Sequence, residues 1–341
     1  MKHFFRTLSL WFSVSALIAC NGEQRSVPVK VTFTIEAPTG TTRVPMPDPA
    51  DEQAALHWTL LLFRDGELAD YGISASTGAI TRELERGSYT AWAVVNCPEE
   101  AFRPESVRTE QELEETVLDL GDNRLPGLLM AGRESLRIPE DTDGGTRTIP
   151  VDRLVCKAGI RKITVRMEDP ALSARPFVLK SVYLTNCPRK GLLGRDATVS
   201  DLSAEEAWAH PMGYRSEPSV DALLADTGID AGIASGASHT VPHLFYGCPN
   251  PVGSAGDSRS RTAWTPRCTR IVIEATVGGK TYYYPVTLPA TARNKTYIAE
   301  EAIIRGLGSL DPEEDVPGAL DVLFSTSTED WSPAYQINEQ S

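Results

Sequence analysis

The sequence predicts an all-β protein built from two β-sandwiches with a few short helices. Three observations carry that prediction. Many short segments alternate apolar and polar residues with a period of two, which is the spacing of a half-buried strand. Gly, Pro, Asn and Asp turn signals separate them at short intervals, as in sandwiches. Hydrophobic content is 41%, and about 320 residues follow the leader, enough for two domains.

Residues 1–19 place Lys2, His3 and Arg6 ahead of a mostly apolar run from Leu8 to Ala19. A basic start and a short apolar run make a secretory leader, whereas a membrane span needs roughly 20 apolar residues. The leader ends in Leu17-Ile18-Ala19-Cys20, which resembles a bacterial lipobox. In that pattern small residues precede a cysteine whose thiol is acylated before cleavage. Cys20 is the expected lipidation site, and the lipid is an anchor rather than part of the fold.

Val29–Glu36 sets Val29, Val31, Phe33 and Ile35 against Lys30, Thr32, Thr34 and Glu36. Pro38 and Gly40 stop this strand, and 38–54 is a Pro-rich segment of exposed character. Unstructured tips are where proteases cut. Arg43, followed by Val44, is a possible cut site in that segment, and Arg25 is another candidate. Trp58–Phe63 is the next strand, with an Asp65-Gly66 turn behind it. A short strand at Arg82–Leu84 precedes Gly87-Ser88 and the strand Tyr89–Asn96, stopped by Pro98. Thr109-Glu110-Gln111-Glu112 reads as a capping box, followed at helical spacing by Leu113, Val117 and Leu118. Leu128–Gly132 is a brief apolar piece.

Thr146–Met167 is the longest strand-like tract. Lys157-Ala158-Gly159 interrupts it as a bulge or a crossing between sheets would, which puts the domain boundary nearby. Phe177–Asn186 is a strand stopped by Cys187-Pro188. From 198 to 240 the pattern fades, leaving a second capping box at Ser203–Glu206 and a helical turn at Ser219–Asp226. Strands resume at His243–Tyr246, Arg270–Val277, Tyr282–Leu288 and Thr296–Ile304, with Gly278-Gly279 as a hairpin signal. Leu320–Ser325 is the last clear strand, and Tyr335–Asn338 a further short one. Leu320, Val322 and Phe324 share one face of it.

The net charge of −13 argues against nucleic acid, whose binders show a basic face. Five cysteines follow Cys20: Cys97, Cys156, Cys187, Cys248 and Cys268. None forms a CxxC pair, so a zinc site is not expected. Export permits disulfides, and five is an odd number. Cys248 and Cys268 are one pair able to bridge the Gly/Ser/Arg-rich loop between them, although spacing does not set the connectivity. No GxSxG, HExxH, P-loop or complete EF-hand occurs. His239 and His243 are four apart with Pro242 between them, poor spacing for a metal on a helix. Asp141-Thr142-Asp143-Gly144 is half a calcium loop and reads as a turn. Glu110–Glu115 reads as a solvated helix face. Trp58, Trp92, Trp208, Trp264 and Trp331 are scattered, as core tryptophans are. No cofactor, metal or catalytic activity is expected.

The order of several local motifs resembles the fimbrillins, the two-domain subunits of type V pili. Tyr89–Asn96 with Cys97-Pro98 is similar to a strand of that family ending in Asn and a turn. Pro150–Ile163 is similar to its strand entering the second domain, and Leu179–Asn186 to the element that follows. Tyr282–Pro285, Arg293-Asn294-Lys295-Thr296-Tyr297 and Gly306–Pro312 resemble its C-terminal run, completed by Leu320-Asp321-Val322 with Trp331 nearby. The stretch 198–240 and the cysteine set do not match.

The resemblance implies two transthyretin-like domains. The chain would divide into a leader 1–19, a propeptide 20–43 carrying the first strand, a first domain 44–152 and a second domain 153–341. It implies a precursor that crosses the outer membrane to the cell surface as a lipoprotein. A trypsin-like protease would cut after Arg43, and the first strand would leave with Val31, Phe33 and Ile35. A C-terminal strand of another pilus subunit would then fill the groove. Here the matching donor is Leu320, Val322 and Phe324, with Trp331, Tyr335 and Ile337 extending the contact. The role implied is a structural subunit of the stalk, since an anchor need not lose its first strand and a tip need not donate one. The alternatives are a tip or anchor subunit of the pilus and, in a different class, a monomeric glycan-binding surface lipoprotein.

Overall fold

The computed structural model describes residues 28–36, 50–139, 144–216, 218–253 and 264–324. Its first half contains β1 (Val29–Glu36), β2 (Trp58–Arg64), β3 (Glu67–Ser74), β4 (Ile80–Leu84), β5 (Gly87–Val95), β6 (Val117–Asp119), β7 (Met130–Ile138), β8 (Gly145–Pro150) and β9 (Asp152–Arg153). The second half contains β10 (Cys156–Ile160), β11 (Ile163–Val165), β12 (Phe177–Thr185), β13 (Cys187–Pro188), β14 (Lys190–Leu192), β15 (Trp208–Ala209), β16 (Ala225–Gly232), β17 (Ser238–His239), β18 (His243–Gly247), β19 (Arg270–Val277), β20 (Lys280–Thr287), β21 (Thr296–Ile304) and β22 (Leu320–Phe324). The α-helices are single turns: α1 (Ala50–Gln53), α2 (Glu110–Glu114), α3 (Pro170–Ser173) and α4 (Asp221–Leu224). The protein is all-β.

In the first half a three-stranded sheet, β4-β1-β8, lies against a five-stranded sheet, β3-β2-β5-β7-β9. Val31, Phe33, Trp58, Leu60, Leu62 and Ile149 fill the space between them. The period-two alternation of these strands is what turns their apolar residues into that layer. The buried Trp58 indole donates to the Gly78 carbonyl at 3.0 Å, so its N–H is satisfied. The outer face of the larger sheet carries a second apolar layer, in which Trp92, Phe102 and Leu113 meet. Here α2 is capped as its sequence predicts. Glu112 N–H donates to Thr109 Oγ1 at 3.2 Å, and Thr109 N–H donates to Glu112 Oε2 at 3.4 Å.

In the second half β21 is central. β10 and β11 lie along it in one continuous parallel register, Lys157↔Thr296 and Ile163↔Ala302. β22 pairs with β21 antiparallel. The facing sheet is β16-β12-β19-β20, and a large core joins the two. The chain passes from the first pair of sheets to the second between Arg153, which pairs with Met130, and Cys156, which pairs with Gly247. A short ladder between β14 and β6 ties the halves together again.

Several expectations need correcting. Lys157–Gly159 is no interruption. It lies inside β10 and is buried between β18 and β21, so its residues mark a central strand. Ser203–Glu206 does not cap an α-helix. The turn there is a 3-10 helix, Glu205–Ala207, preceded by Ala204 without a side-chain cap bond. The stretch 198–240 contains β16, a strand the sequence pattern does not show. Cys248 and Cys268 are not bridged, and all five cysteines from Cys97 onward are free thiols.

Candidate functional site

β1 is the middle strand of its sheet. On one side it pairs antiparallel with β4, from Val29↔Leu84 to Phe33↔Ile80. On the other it pairs parallel with β8, from Val31↔Gly145 to Glu36↔Pro150. Neither β4 nor β8 has another ladder partner among the described strands. β1 is therefore what makes these three strands a sheet.

The side chains of β1 divide cleanly by face. Val29, Val31 and Phe33 are buried in the first core, with Phe33 wholly inaccessible, and Ile35 is half-buried against it. Full burial of such side chains is worth about 1.5–3 kcal/mol each. On the outer face Thr32 Oγ1 lies 3.0 Å from Thr81 Oγ1, and Thr34 Oγ1 lies 3.1 Å from Thr148 Oγ1. These pairs fix the register of β1 against both neighbours. At the entry to β8, Gly144 has φ +99°, and a Cβ there would lie 1.9 Å from the Lys30 carbonyl oxygen. Only glycine lets the chain turn so close to β1. Taking β1 out would expose two rows of main-chain donors and acceptors and empty the sites of Val31 and Phe33. Both consequences are costly.

Cys20, Arg43 and Val44 lie outside the described residues. The described chain resumes at α1, and residues 52–56 are firmly held. Glu52 is fully buried, although nothing in its local sequence signals this. Its carboxylate accepts from Lys157 Nζ at 2.8 and 2.9 Å and from the Tyr246 hydroxyl. Its carbonyl oxygen accepts from Arg153 Nε at 2.9 Å. Just beyond, Leu56 N–H donates to Asn96 Oδ1 at 2.7 Å, and Asn96 Nδ2 donates to the Ala54 carbonyl at 2.7 Å. The segment that leads away from 37–49 is thus bolted to β10 and β18 of the second half. Lys157 and Tyr246 are about 100 and 200 residues from Glu52 in sequence, which is why no local pattern finds this site.

β22 is placed differently. It runs along β21 with Ile304↔Leu320, Ala302↔Val322 and Ala299↔Phe324, with an irregularity between Ala299 and Glu301. Leu320 and Val322 pack partly buried against the second core. Leu323 is 54% exposed and Phe324 41% exposed. Phe324 lines an open groove of about 310 Å³ with Tyr283, Pro285 and Val316. Ahead of β22 the chain is anchored at Glu313, whose carboxylate meets Asn186 Nδ2 at 2.7 Å and Arg267 Nη1 at 2.5 Å. Trp331, Tyr335 and Ile337 lie outside the described residues.

Burial pushes the Cys156 thiol up to about 11 and the Cys97 thiol up to about 12, so neither offers a thiolate at neutral pH. His239 and His243 stack with ring centroids 5.2 Å apart, and His243 Nδ1 lies 2.7 Å from Asp226 Oδ2. Burial lowers the His239 pKa, with the His243 ring adding to the shift. Among the described residues no group of three or more His, Cys, Asp or Glu side chains is placed to hold a metal ion. Trp58, Trp92 and Trp208 are buried, and Trp264 meets Trp208 edge to face at 5.3 Å. None of these four forms an exposed sugar platform.

No family model and no curated protein matches this chain. Solved structures do. A candidate cell adhesion protein from Bacteroides eggerthii superposes with a TM-score of 0.60 at 16% identity, over 88% of this chain and 95% of the other. A fimbrilin from Porphyromonas gingivalis W83 gives a TM-score of 0.56 at 15% identity, over 87% and 96%. The tip fimbrial protein Mfa3 of Porphyromonas gingivalis, solved with a C-terminal truncation, gives 0.52 at 14% identity, over 87% and 98%. The superpositions run across both pairs of sheets, and the chain has the fold of a fimbrilin.

Proposed function

We propose that this chain is the precursor of a structural subunit of a cell-surface pilus, assembled by exchange of β1 for a strand of another subunit. The observation that carries the reading is the position of β1. It is the shared partner of β4 and β8, it fills the first core, and it joins β2 through the segment that contains Arg43. A cut after Arg43 converts β1 from part of the chain into a bound peptide. Once that peptide leaves, an extended segment restores both ladders by β-augmentation, with alternate side chains setting the register. Leu320, Val322 and Phe324 of a second subunit are the proposed donor, because β22 is an edge strand whose apolar side chains are only partly used at home.

In this reading the chain divides into a leader 1–19, a propeptide 20–43 and domains 44–152 and 153–341. Cys20 carries the lipid that takes the precursor to the outer membrane, and a trypsin-like protease cuts between Arg43 and Val44. The subunit belongs to the stalk, since it has both a removable first strand and a donor, and it has no catalytic role. Its location is the cell surface, first as a lipoprotein and then within the fimbrium. The deciding experiment is the N-terminal sequence of the protein recovered from the surface. A start at Val44 is expected. A blocked, lipid-bearing Cys20 on the mature protein would instead mean that β1 stays, as in an anchor or a tethered monomer.

A further inference from the structure

β4 poses a mechanical problem. Its ladder partner is β1, so removal of β1 deprives it of a sheet and would let one wall of the groove collapse. The side chain of Arg82 addresses this. Arg82 sits in β4 opposite Val31, but its guanidinium turns away from β1 and crosses the seam to β3. Nε and Nη2 donate to the Tyr71 carbonyl oxygen at 3.2 and 2.7 Å. Nε also lies 3.2 Å from Asp70 Oδ2, and Nη1 donates to the Thr81 carbonyl at 3.2 Å.

The backbone of β3 is shaped to receive it. The guanidinium lies over Gly72, where an added Cβ would stand 2.2 Å from Nη2, 2.7 Å from Cζ and 2.9 Å from Ile80 Cγ2 of β4. A glycine inside a strand marks such a close approach. β3 is the edge of the five-stranded sheet, and an edge carbonyl there otherwise faces water. A two-pronged, charge-assisted bond to that carbonyl closes the seam between the two sheets.

We propose that Arg82 is a positioning residue that keeps β4 docked on β3 when β1 is out of the sheet, so that the groove stays open for an incoming extended segment from another copy of this chain. The incoming strand rests on the function proposed above. The docking of β4 does not, and it is measurable in the uncut chain.

The test is amide hydrogen exchange of the full chain, followed at residues 80–84 in the wild type, Arg82→Ala, Phe33→Ala and the double variant. Phe33→Ala loosens β1 without cutting it. The expected result is that Phe33→Ala speeds exchange in β1 far more than in β4. Adding Arg82→Ala then speeds β4 by about tenfold or more, the scale of losing a charge-assisted hydrogen bond. Arg82→Ala alone changes β4 little, because the β1 ladder still holds it. Where Phe33→Ala unfolds the first core altogether, Phe33→Leu is the milder loosening. Equal β4 exchange with and without Arg82 in the loosened background overturns the proposal. A surface protein that retains Cys20 overturns strand exchange instead, and leaves the β4 result standing.

Discussion

β1 and β22 have the same kind of sequence and opposite positions. Each alternates apolar side chains along one face, yet β1 lies between two strands and β22 on the outside of one. Val31 and Phe33 are 2% and 0% exposed, whereas on the matching face of β22 Leu320 and Val322 are only partly buried and Phe324 is 41% exposed. Alternation therefore reports that a segment is a strand and not how deeply it is held. The difference also bears on assembly. An edge strand leaves its sheet by breaking one ladder and uncovering little. A middle strand must break two ladders and empty a core. In the proposed exchange it is the middle strand that has a cut beside it, and a covalent step is what makes the loss of so well held an element effectively irreversible.

The largest test of this contrast is a matched pair of truncations. Phe33→Ala should destabilise the chain by about 3–5 kcal/mol, the usual cost of removing a fully buried phenylalanine. Phe324→Ala should cost far less, about 1 kcal/mol, since the side chain is already 41% exposed. Urea denaturation of both variants measures the gap. Equal losses would mean that β22 is as integral to its sheet as β1 is.

A second test asks how much of the hold on the first region comes from the post at Glu52 rather than from β1. Lys157→Met leaves the buried Glu52 carboxylate without its ammonium partner, while the Tyr246 hydroxyl remains. Breaking a buried pair from one side is strongly destabilising, here by about 3 kcal/mol. The same variant should speed hydrogen exchange across 51–56. A loss of stability with no change there would place the role of Lys157 within β10 alone.

A third test concerns pH and His210, which follows Ala209 of the second core. His210 is fully buried, and its Nδ1 accepts from the Ser216 N–H at 3.1 Å. Burial, helped by the charge of Arg215, lowers its pKa to about 4 from the ordinary 6.5, outweighing the neighbouring Asp221. The unfolded chain then binds the extra proton first, so stability is complete above pH 6.5. It declines as pH falls towards 4, by at most about 3 kcal/mol. His210→Asn retains an acceptor and suits the left-handed backbone at φ 49°. It should flatten the loss between pH 6.5 and 4 in denaturation curves. An unchanged slope would assign that loss to other groups.

Much of this fold was legible because the sequence marks it twice, by alternation and by punctuation. β1, β19 and β21 have the bounds read from the residues alone, and the α2 capping box makes both of its bonds. What escaped were β3, β16 and most of β7, whose span Met130–Ile138 reads in the sequence only as an apolar piece at Leu128–Gly132. β3 and β16 present few bulky apolar residues and carry glycines in mid-strand, because one side of each strand faces water. Their strand character comes from pairing with β2 and β12, which local sequence does not contain. The site shows the same division. The inward row Val31, Phe33 and Ile35 is visible in the sequence. The placement of β1 between two strands, the Glu52 post and the Arg82 crossing depend on residues brought together from far apart. Gly72 was the available signal for the last of these, as a glycine within a short run between two turns.

The smallest effect on stability should accompany the largest effect on assembly. Phe324→Asp places a charge at an exposed position at the end of an edge strand, where a carboxylate can reach water, so the folded monomer should lose only about 1 kcal/mol. In a groove vacated by β1 the same charge would enter a site shaped for Val31 and Phe33, where an unpaired carboxylate is strongly disfavoured. Secreted monomer should persist while surface polymers disappear, as read by denaturing gels of unheated samples and by microscopy of fibres on cells. The asymmetry between β1 and β22 makes this separation achievable, since only an edge strand can be altered so drastically without unfolding its own sheet. Polymers that assemble normally with Phe324→Asp would remove β22 from the exchange and leave the groove beside β4 without its proposed occupant.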